Sequence, residues 1–155
     1  MATLSGRSQI FAGDTSLIDT TAQHKLGTRA FDVDGNEYIY LAGVASVAAG
    51  TWVSFDEALA TTRLTTNCVG RVAIAMAAIV ASSYGWFQIY GKNEIAVVAD
   101  IEADVALFTT GTAGTADDAD TANEMIIGAF SRSVDAAGIA TVELNYPFVC
   151  NVAID

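Results

Sequence analysis

The side chains that most often carry out chemistry in proteins are scarce in this sequence. It contains one histidine, His24, and two cysteines, Cys68 and Cys150. A Ser-His-Asp triad or a Cys-His pair needs a histidine as its base, and His24 stands in a polar stretch that is typical of a solvated side chain. Zinc needs a cluster of His, Cys and carboxylate ligands, which this set cannot supply. We therefore predict no catalytic residues, no cofactor and no metal centre.

Carboxylates are abundant, with 18 Asp and Glu residues. A pair of them could serve glycoside hydrolysis, so a carboxylate-based hydrolase stays an alternative, although no spacing selects a pair. The segment "DVDGNE" (32–37) is similar to a calcium loop, but its glycine falls too early and Gly43 stands where a bidentate Glu belongs. The segment "DDAD" (117–120) could hold Ca²⁺ weakly, and a solvated acidic loop explains it as well.

The two tryptophans suggest a different kind of site. Trp52, Trp86 and the nearby tyrosines could line a platform for a sugar ring. They also stand at strand spacing, which is typical of packing in a core or an interface. Packing is the commoner explanation of this spacing, and the sugar platform is the alternative.

Charge and composition limit the classes of partner. Seven Lys and Arg against 18 Asp and Glu give a net charge of −11. We therefore expect neither nucleic acid nor an anionic membrane surface as a partner, since a protein that binds either needs clustered positive charge. Hydrophobic residues make up 52% of the chain and charged residues 16%, a balance that predicts one folded domain.

Neither a secretion signal nor a membrane span is expected. The start "MATLSGRSQIFAGDTS" lacks an apolar core after a basic segment. The most apolar run, 72–81, is about half of the length that spans a bilayer. Without a secretory signal, the two cysteines are expected to be small buried hydrophobes, although their spacing also allows a single bridge.

The first structural elements that the pattern predicts are an irregular arm over residues 1–28 and a hairpin after it. "RAFDVDGNEYIYLAG" places Asp34-Gly35 between two β-prone runs. A two-residue type I′ turn at Asp-Gly would pair Phe31 with Tyr38.

The segment "VGRVAIAMAAIVASSYG" could be a buried helix, because alanine is the best helix former. Large and small residues nevertheless alternate with period 2 from Val72 to Val80, which favours a strand that is packed on both faces. "WFQIY" (86–90) would return as the second strand of a hairpin. Its rings would pack against the alanines of the first strand.

The rest of the chain indicates more short strands. "NEIAVVAD", "DVALFTT", "EMIIGAFSRS" and "IATVELNYPFV" each have β character, and 109–123 is predicted to be a surface loop. In the last strand, alternation predicts that Ala140, Val142, Leu144, Tyr146 and Phe148 share the buried face. The predicted fold is all-β, an antiparallel β-sandwich or barrel with an irregular N-terminal arm.

Three segments, "GTRAFDVDGNEYIYLAGVASVAAGTWVSFDE", "CVGRVAIAMAAIVASSYGWFQIYGK" and "EMIIGAFSRSVDAAGIATVEL", together resemble capsid decoration (cement) and related head proteins of tailed bacteriophages. The resemblance covers residues 29–149, and "YGWFQIYG" is its most distinctive part. It implies a non-enzymatic virion protein, with 29–155 as the capsid-binding domain. Such a protein forms homotrimers that bridge major capsid proteins on the head exterior, after assembly in the host cytoplasm. The alternative that we retain is a tail or fibre adhesin that binds host glycans.

Overall fold

The computed structural model describes residues 13–120 and 124–150, and these ranges contain ten strands and no helix. The strands are β1 (Arg29–Phe31), β2 (Glu37–Ala42), β3 (Trp52–Phe55), β4 (Thr61–Arg63), β5 (Gly70–Ala75), β6 (Tyr84–Ala99), β7 (Ala106–Thr109), β8 (Ala116–Asp117), β9 (Met125–Ser131) and β10 (Ile139–Val149). Within these ranges, no helix exists that could cross a membrane. The all-β prediction is confirmed, and the alanine-rich segment is not a helix.

Six of the strands close a barrel. The pairings run from β6 to β8, β7, β9, β10 and β5, and β5 returns to β6. Every pair is antiparallel except β6 with β8, so the barrel is mixed rather than purely antiparallel. Strands β1 and β2 extend the sheet beyond β6, and β3 and β4 extend it beyond β5.

The barrel is filled by one hydrophobic cluster, and a second cluster lies on the opposite face of β5. Val72 and Ile74 point into the barrel with Trp52, which is fully buried. Ala73 and Ala75 point into the second cluster. Both faces of β5 are therefore packed, as the alternation of large and small residues predicted.

The hairpin between β5 and β6 is confirmed, with a shorter first strand. Ala75 lies directly opposite Phe87, so a small side chain faces a ring. The strand ends at Ala75, whereas the alternation predicted a strand as far as Val80. The chain turns there, because the Ile79 nitrogen donates to the Ala77 carbonyl oxygen and the Val80 nitrogen donates to the Ala78 carbonyl oxygen.

Strand β6 joins two segments that the sequence presented as separate strands. It runs for 16 residues through Gly91, whose φ of 95° is left-handed. The buried Gln88 donates through Nε2 to the carbonyl oxygens of Tyr90 and Lys92, at 3.1 and 2.9 Å. These bonds satisfy carbonyls at the bend, so the strand continues and changes partners.

The predicted turn at Asp34-Gly35 is wrong in register. Phe31 faces Glu37, and Tyr38 faces Ala30, because the loop holds 32–36 rather than two residues. The Asp32 carboxylate accepts hydrogen bonds from the backbone nitrogens of Asp34 and Asn36, both at 2.9 Å. Burial opposes ionisation of Asp32, but its hydrogen bonds prevail and lower its pKa.

The segment 109–123 is not simply a surface loop. It contains β8, where Ala116 is fully buried and pairs with Val98 of β6. Thr109 is fully buried as well. Residues 121–123 lie outside the described ranges. The missed strand is the one that closes the barrel between β6 and β7.

The predicted alternation in β10 holds only for its first half. Ala140, Val142 and Leu144 are buried, but Tyr146 and Phe148 are exposed. The backbone of Tyr146 is left-handed, with φ of 48°, and the register with β9 shifts between Leu144 and Phe148. This bulge reverses which residues face outward.

The described part of the predicted arm, 13–28, contains no strand, as expected, and residues 1–12 lie outside the described ranges. It joins the body through reciprocal backbone hydrogen bonds between Asp19 and Tyr84. The Tyr40 hydroxyl donates a hydrogen bond to Asp19. Burial, more than this hydrogen bond, raises the pKa of Tyr40 to about 12. His24 is exposed, and its ring centroid lies 5.0 Å from that of Tyr40.

Replacing Gly50 should destabilise the fold strongly. Gly50 joins β5 and β6 by donating to the Ala75 carbonyl and accepting from the Val97 nitrogen. Its φ is 82°, and an added Cβ would lie 1.8 Å from the Ile95 carbonyl oxygen. We expect Gly50→Ala to lower the free energy of unfolding in urea by about 2 kcal/mol or more.

Gly111→Ala is the matched control, because nothing lies within 4 Å of the Cβ added there. It should change the unfolding free energy by less than about 0.5 kcal/mol. Equal effects of the two substitutions would contradict the described approach of Gly50 to β6.

Candidate functional site

A row of large apolar side chains crosses the outer face of the barrel. We call it the apolar row, and it consists of Phe108 on β7, Met125 and Ile127 on β9, and Phe148 on β10. Phe108 lies opposite Met125, and Ile127 lies opposite Phe148. Met125, Ile127 and Phe148 are 48%, 38% and 42% exposed. Their neighbours Leu107, Ile126 and Val149 point into the barrel, so β9 is apolar on both faces.

A guanidinium stands at one end of the apolar row. Arg71 lies directly opposite Phe148 and is exposed. It stacks over the Phe55 ring with its Cζ 4.4 Å from the ring centroid, and it donates to the Asp56 carbonyl oxygen at 2.7 Å. Among residues 13–120 and 124–150, no carboxylate lies within ion-pair distance of it.

Carboxylates gather at the other end of the barrel. We call this the acidic rim, and its members are Asp100, Glu102, Asp104, Asp118 and Asp135. Asp118 accepts from the Glu102 nitrogen at 2.8 Å, and Arg132 forms an ion pair with Asp104 at 3.0 Å. The Asp135 nitrogen donates to the carbonyl of Ile101. The rim precedes β7 and follows β9, whereas the apolar row lies where β7 ends and β9 begins.

A buried carboxylate joins the outer hairpin to β10. The Glu37 side chain is 3% exposed and pairs with Arg29 at 3.0 Å. The Tyr146 hydroxyl donates to Glu37 at 2.6 Å, and this hydrogen bond is the main reason that the pKa of Tyr146 is raised. The ring of Tyr146 also stacks on Tyr90, with centroids 5.2 Å apart. The left-handed bulge at Tyr146 thus places a hydroxyl donor where a buried charge needs one.

Two open clefts flank Tyr90, which is 40% exposed. One has a volume of about 600 Å³ and is lined in part by Asn36 and Lys92. The other has about 480 Å³ and is lined in part by Glu143 and Asn145. An aromatic ring between polar side chains is an arrangement that can hold a sugar.

Of the two interpretations of the tryptophans, core packing is confirmed and the sugar platform is not. Trp52 is fully buried in the barrel and donates through Nε1 to the Val97 carbonyl. Trp86 is 5% exposed and packs with Tyr40. Neither indole face is accessible to a ligand.

The other sequence candidates do not come together. His24 lies against the aromatic rings of Tyr40 and Trp86. Cys68 and Cys150 are free thiols, so no bridge joins them. Both are only partly buried, whereas the sequence predicted buried side chains. The side chains of Asp32 and Asp117 accept local backbone hydrogen bonds. In the described ranges, no group of three or more His, Cys, Asp or Glu side chains is arranged to hold a metal ion.

The apolar row was missed because the sequence interpretation assumed a half-buried last strand. The signal was present in "EMIIGAF" (124–130), where consecutive large apolar residues leave no polar face. Such a run in a barrel strand needs a partner on its outer side.

Comparison with known proteins adds no assignment, since no protein-family model, curated protein or solved structure matches this chain.

Removing the Tyr146 hydroxyl should destabilise the protein, because buried Glu37 would lose a donor. We expect Tyr146→Phe to lower the free energy of unfolding by about 1–3 kcal/mol in a urea titration. Tyr90→Phe is the control, since the described residues give its hydroxyl no hydrogen bond, and its effect should stay within about 0.5 kcal/mol. A Tyr146→Phe protein as stable as the control would show that Glu37 is satisfied in another way.

Proposed function

We propose that this protein is a non-enzymatic virion structural protein, which decorates the outside of an icosahedral phage head and bridges major capsid proteins. The resemblance of residues 29–149 to capsid decoration proteins suggests the setting. The apolar row is the observation that carries the proposal.

The row supports a role in an assembly because soluble monomers seldom expose contiguous apolar surface. Its side chains occupy three adjacent strands and contribute nothing to the barrel core. Exposed apolar surface of this kind gains free energy when a protein partner covers it. A homo-oligomer, which the resemblance suggests is a trimer, is part of the proposal.

The charge of the chain supports an outward position on the head. A net charge of −11 repels the packaged DNA, so the exterior of the shell is electrostatically preferable to the lumen. The same charge favours solubility while the protein awaits assembly. We therefore propose the virion as its final location and the host cytoplasm as its location during assembly.

The proposal is tested by adding the purified protein to undecorated heads of the parent phage and imaging them by cryo-electron microscopy. We expect ordered density on the shell, and at least a tenfold loss of occupancy for the Ile127→Ser/Phe148→Ser protein, since it replaces two apolar contacts.

Val33→Ser is the matched control, because Val33 is an apolar residue that is 91% exposed in the β1–β2 loop, which belongs to none of the three strands that carry the row. It should decorate heads as the unmodified protein does. Bare shells after incubation with the unmodified protein would refute the proposed role.

A glycan-binding adhesin is the second candidate, and Tyr90 with its two clefts is the observation that favours it. If the candidate is right, a glycan array should give binding that Tyr90→Ala lowers at least tenfold, because a sugar stacked on the ring would lose that contact. Phe148→Ala, at an exposed aromatic that lines neither cleft, should leave binding unchanged. Binding that survives Tyr90→Ala would eliminate this site.

A further inference from the structure

We propose that copies of this chain pack head-to-tail, with the apolar row and Arg71 of one copy covering the acidic rim of the next. The inference deepens the proposed homo-oligomer and rests on that part of the proposed function. It does not depend on the capsid shell, so the two can fail separately.

The apolar row requires a partner that combines apolar surface with negative charge. Phe148 and Arg71 are direct cross-strand neighbours, so whatever covers the ring also meets the guanidinium. Covering an arginine without a counter-charge is unfavourable. A carboxylate on the partner is therefore needed beside the apolar contact.

Arg71 is the basic group beside the apolar row, and it is free to receive that carboxylate, whereas Arg63 on β4 and Lys25 in the arm, which also form no ion pair within the described ranges, do not lie opposite a residue of the row. Three other basic side chains already have carboxylate partners. Arg29 pairs with Glu37, Lys92 with Glu94, and Arg132 with Asp104 and Glu143. Within the described ranges Arg71 has only a backbone carbonyl, that of Asp56, as its hydrogen-bond acceptor. Its charge is thus available to a second molecule.

The acidic rim supplies the complementary surface. Glu102 is exposed and forms no ion pair within the described ranges. Val134 on the β9–β10 connection and Ile139 at the start of β10 are 57% and 44% exposed. The connection adjoins the rim through the hydrogen bond from the Asp135 nitrogen to the Ile101 carbonyl. The rim therefore offers both of the features that the row requires.

Position in the fold favours a head-to-tail contact over a contact between two rows. The row and the rim lie at opposite ends of β7 and β9, so each copy presents one of each. Two rows facing each other would bury two unmatched Arg71 side chains and leave both rims uncovered. Contacts between unlike surfaces form a ring when the rotation between successive copies closes, and a three-membered ring is the state that the resemblance implies.

The test measures self-association of the purified full chain by analytical ultracentrifugation, without heads. We expect the unmodified protein to form an oligomer whose dissociation constant rises as salt is added, since the contact includes charges. Arg71→Glu and Phe148→Ser should each raise that constant by about tenfold or more. Lys25→Glu, the same charge change on an exposed residue of the arm, should leave it unchanged.

A charge swap identifies the partner surface. Glu102→Lys should weaken association as Arg71→Glu does, and the protein carrying both should regain affinity, because the new lysine would face the new glutamate. Unfolding curves of the variants show whether each folds. A monomeric unmodified protein, association that is insensitive to Arg71→Glu and Phe148→Ser, or a double variant no better than the single ones would each overturn the inference. Head decoration by a monomer would overturn it, together with the proposed homo-oligomer, while leaving the proposed decorating role standing.

Discussion

Strand β6 is the element on which the rest of the structure depends. It pairs with β2, β5, β8 and β10, and no other strand makes as many pairings. A straight strand could not serve partners on both the barrel and the outer sheet, so the bend at Gly91 is a requirement of the fold. The Gln88 amide stabilises that bend, because it donates to the carbonyl oxygens of Tyr90 and Lys92 on either side of Gly91 and accepts from the Asn93 amide.

The described residues form three hydrophobic clusters, and two of them share β5. The larger residues of β5 pack inside the barrel, and the alanines of β5 leave room for the rings of the second cluster. A larger residue at Ala75 would press on Phe87 from the opposite strand. Glu37 adds a polar connection between the outer hairpin and the barrel, since it forms an ion pair with Arg29 of β1 and accepts a hydrogen bond from Tyr146 of β10. Its charge is buried but fully partnered, which is the condition under which such a group is tolerated.

The surface properties follow from barrel closure. A closed barrel leaves its outer face to solvent unless something covers it, and β5 and β6 are covered by the outer strands while β7, β9 and β10 are not. Apolar residues on those three strands therefore form an exposed row, and the connections at the opposite end carry the carboxylates. The barrel thus presents two unlike surfaces, one apolar and one acidic.

The sequence by itself determined the β class, the two-faced packing of Val72 to Ala75 and the β5–β6 hairpin, because alternation and turn residues are local signals. It also indicated the scarcity of catalytic side chains. Only the tertiary structure decided how the barrel closes, since the two residues of β8 are too few to show a period and gain their strand conformation from β6 and β7. It likewise decided that Tyr146 and Phe148 face outward and that Trp52 and Trp86 face inward. A bulge reverses every later side chain, and the left-handed residue that creates it, a tyrosine, has no local preference that would reveal it.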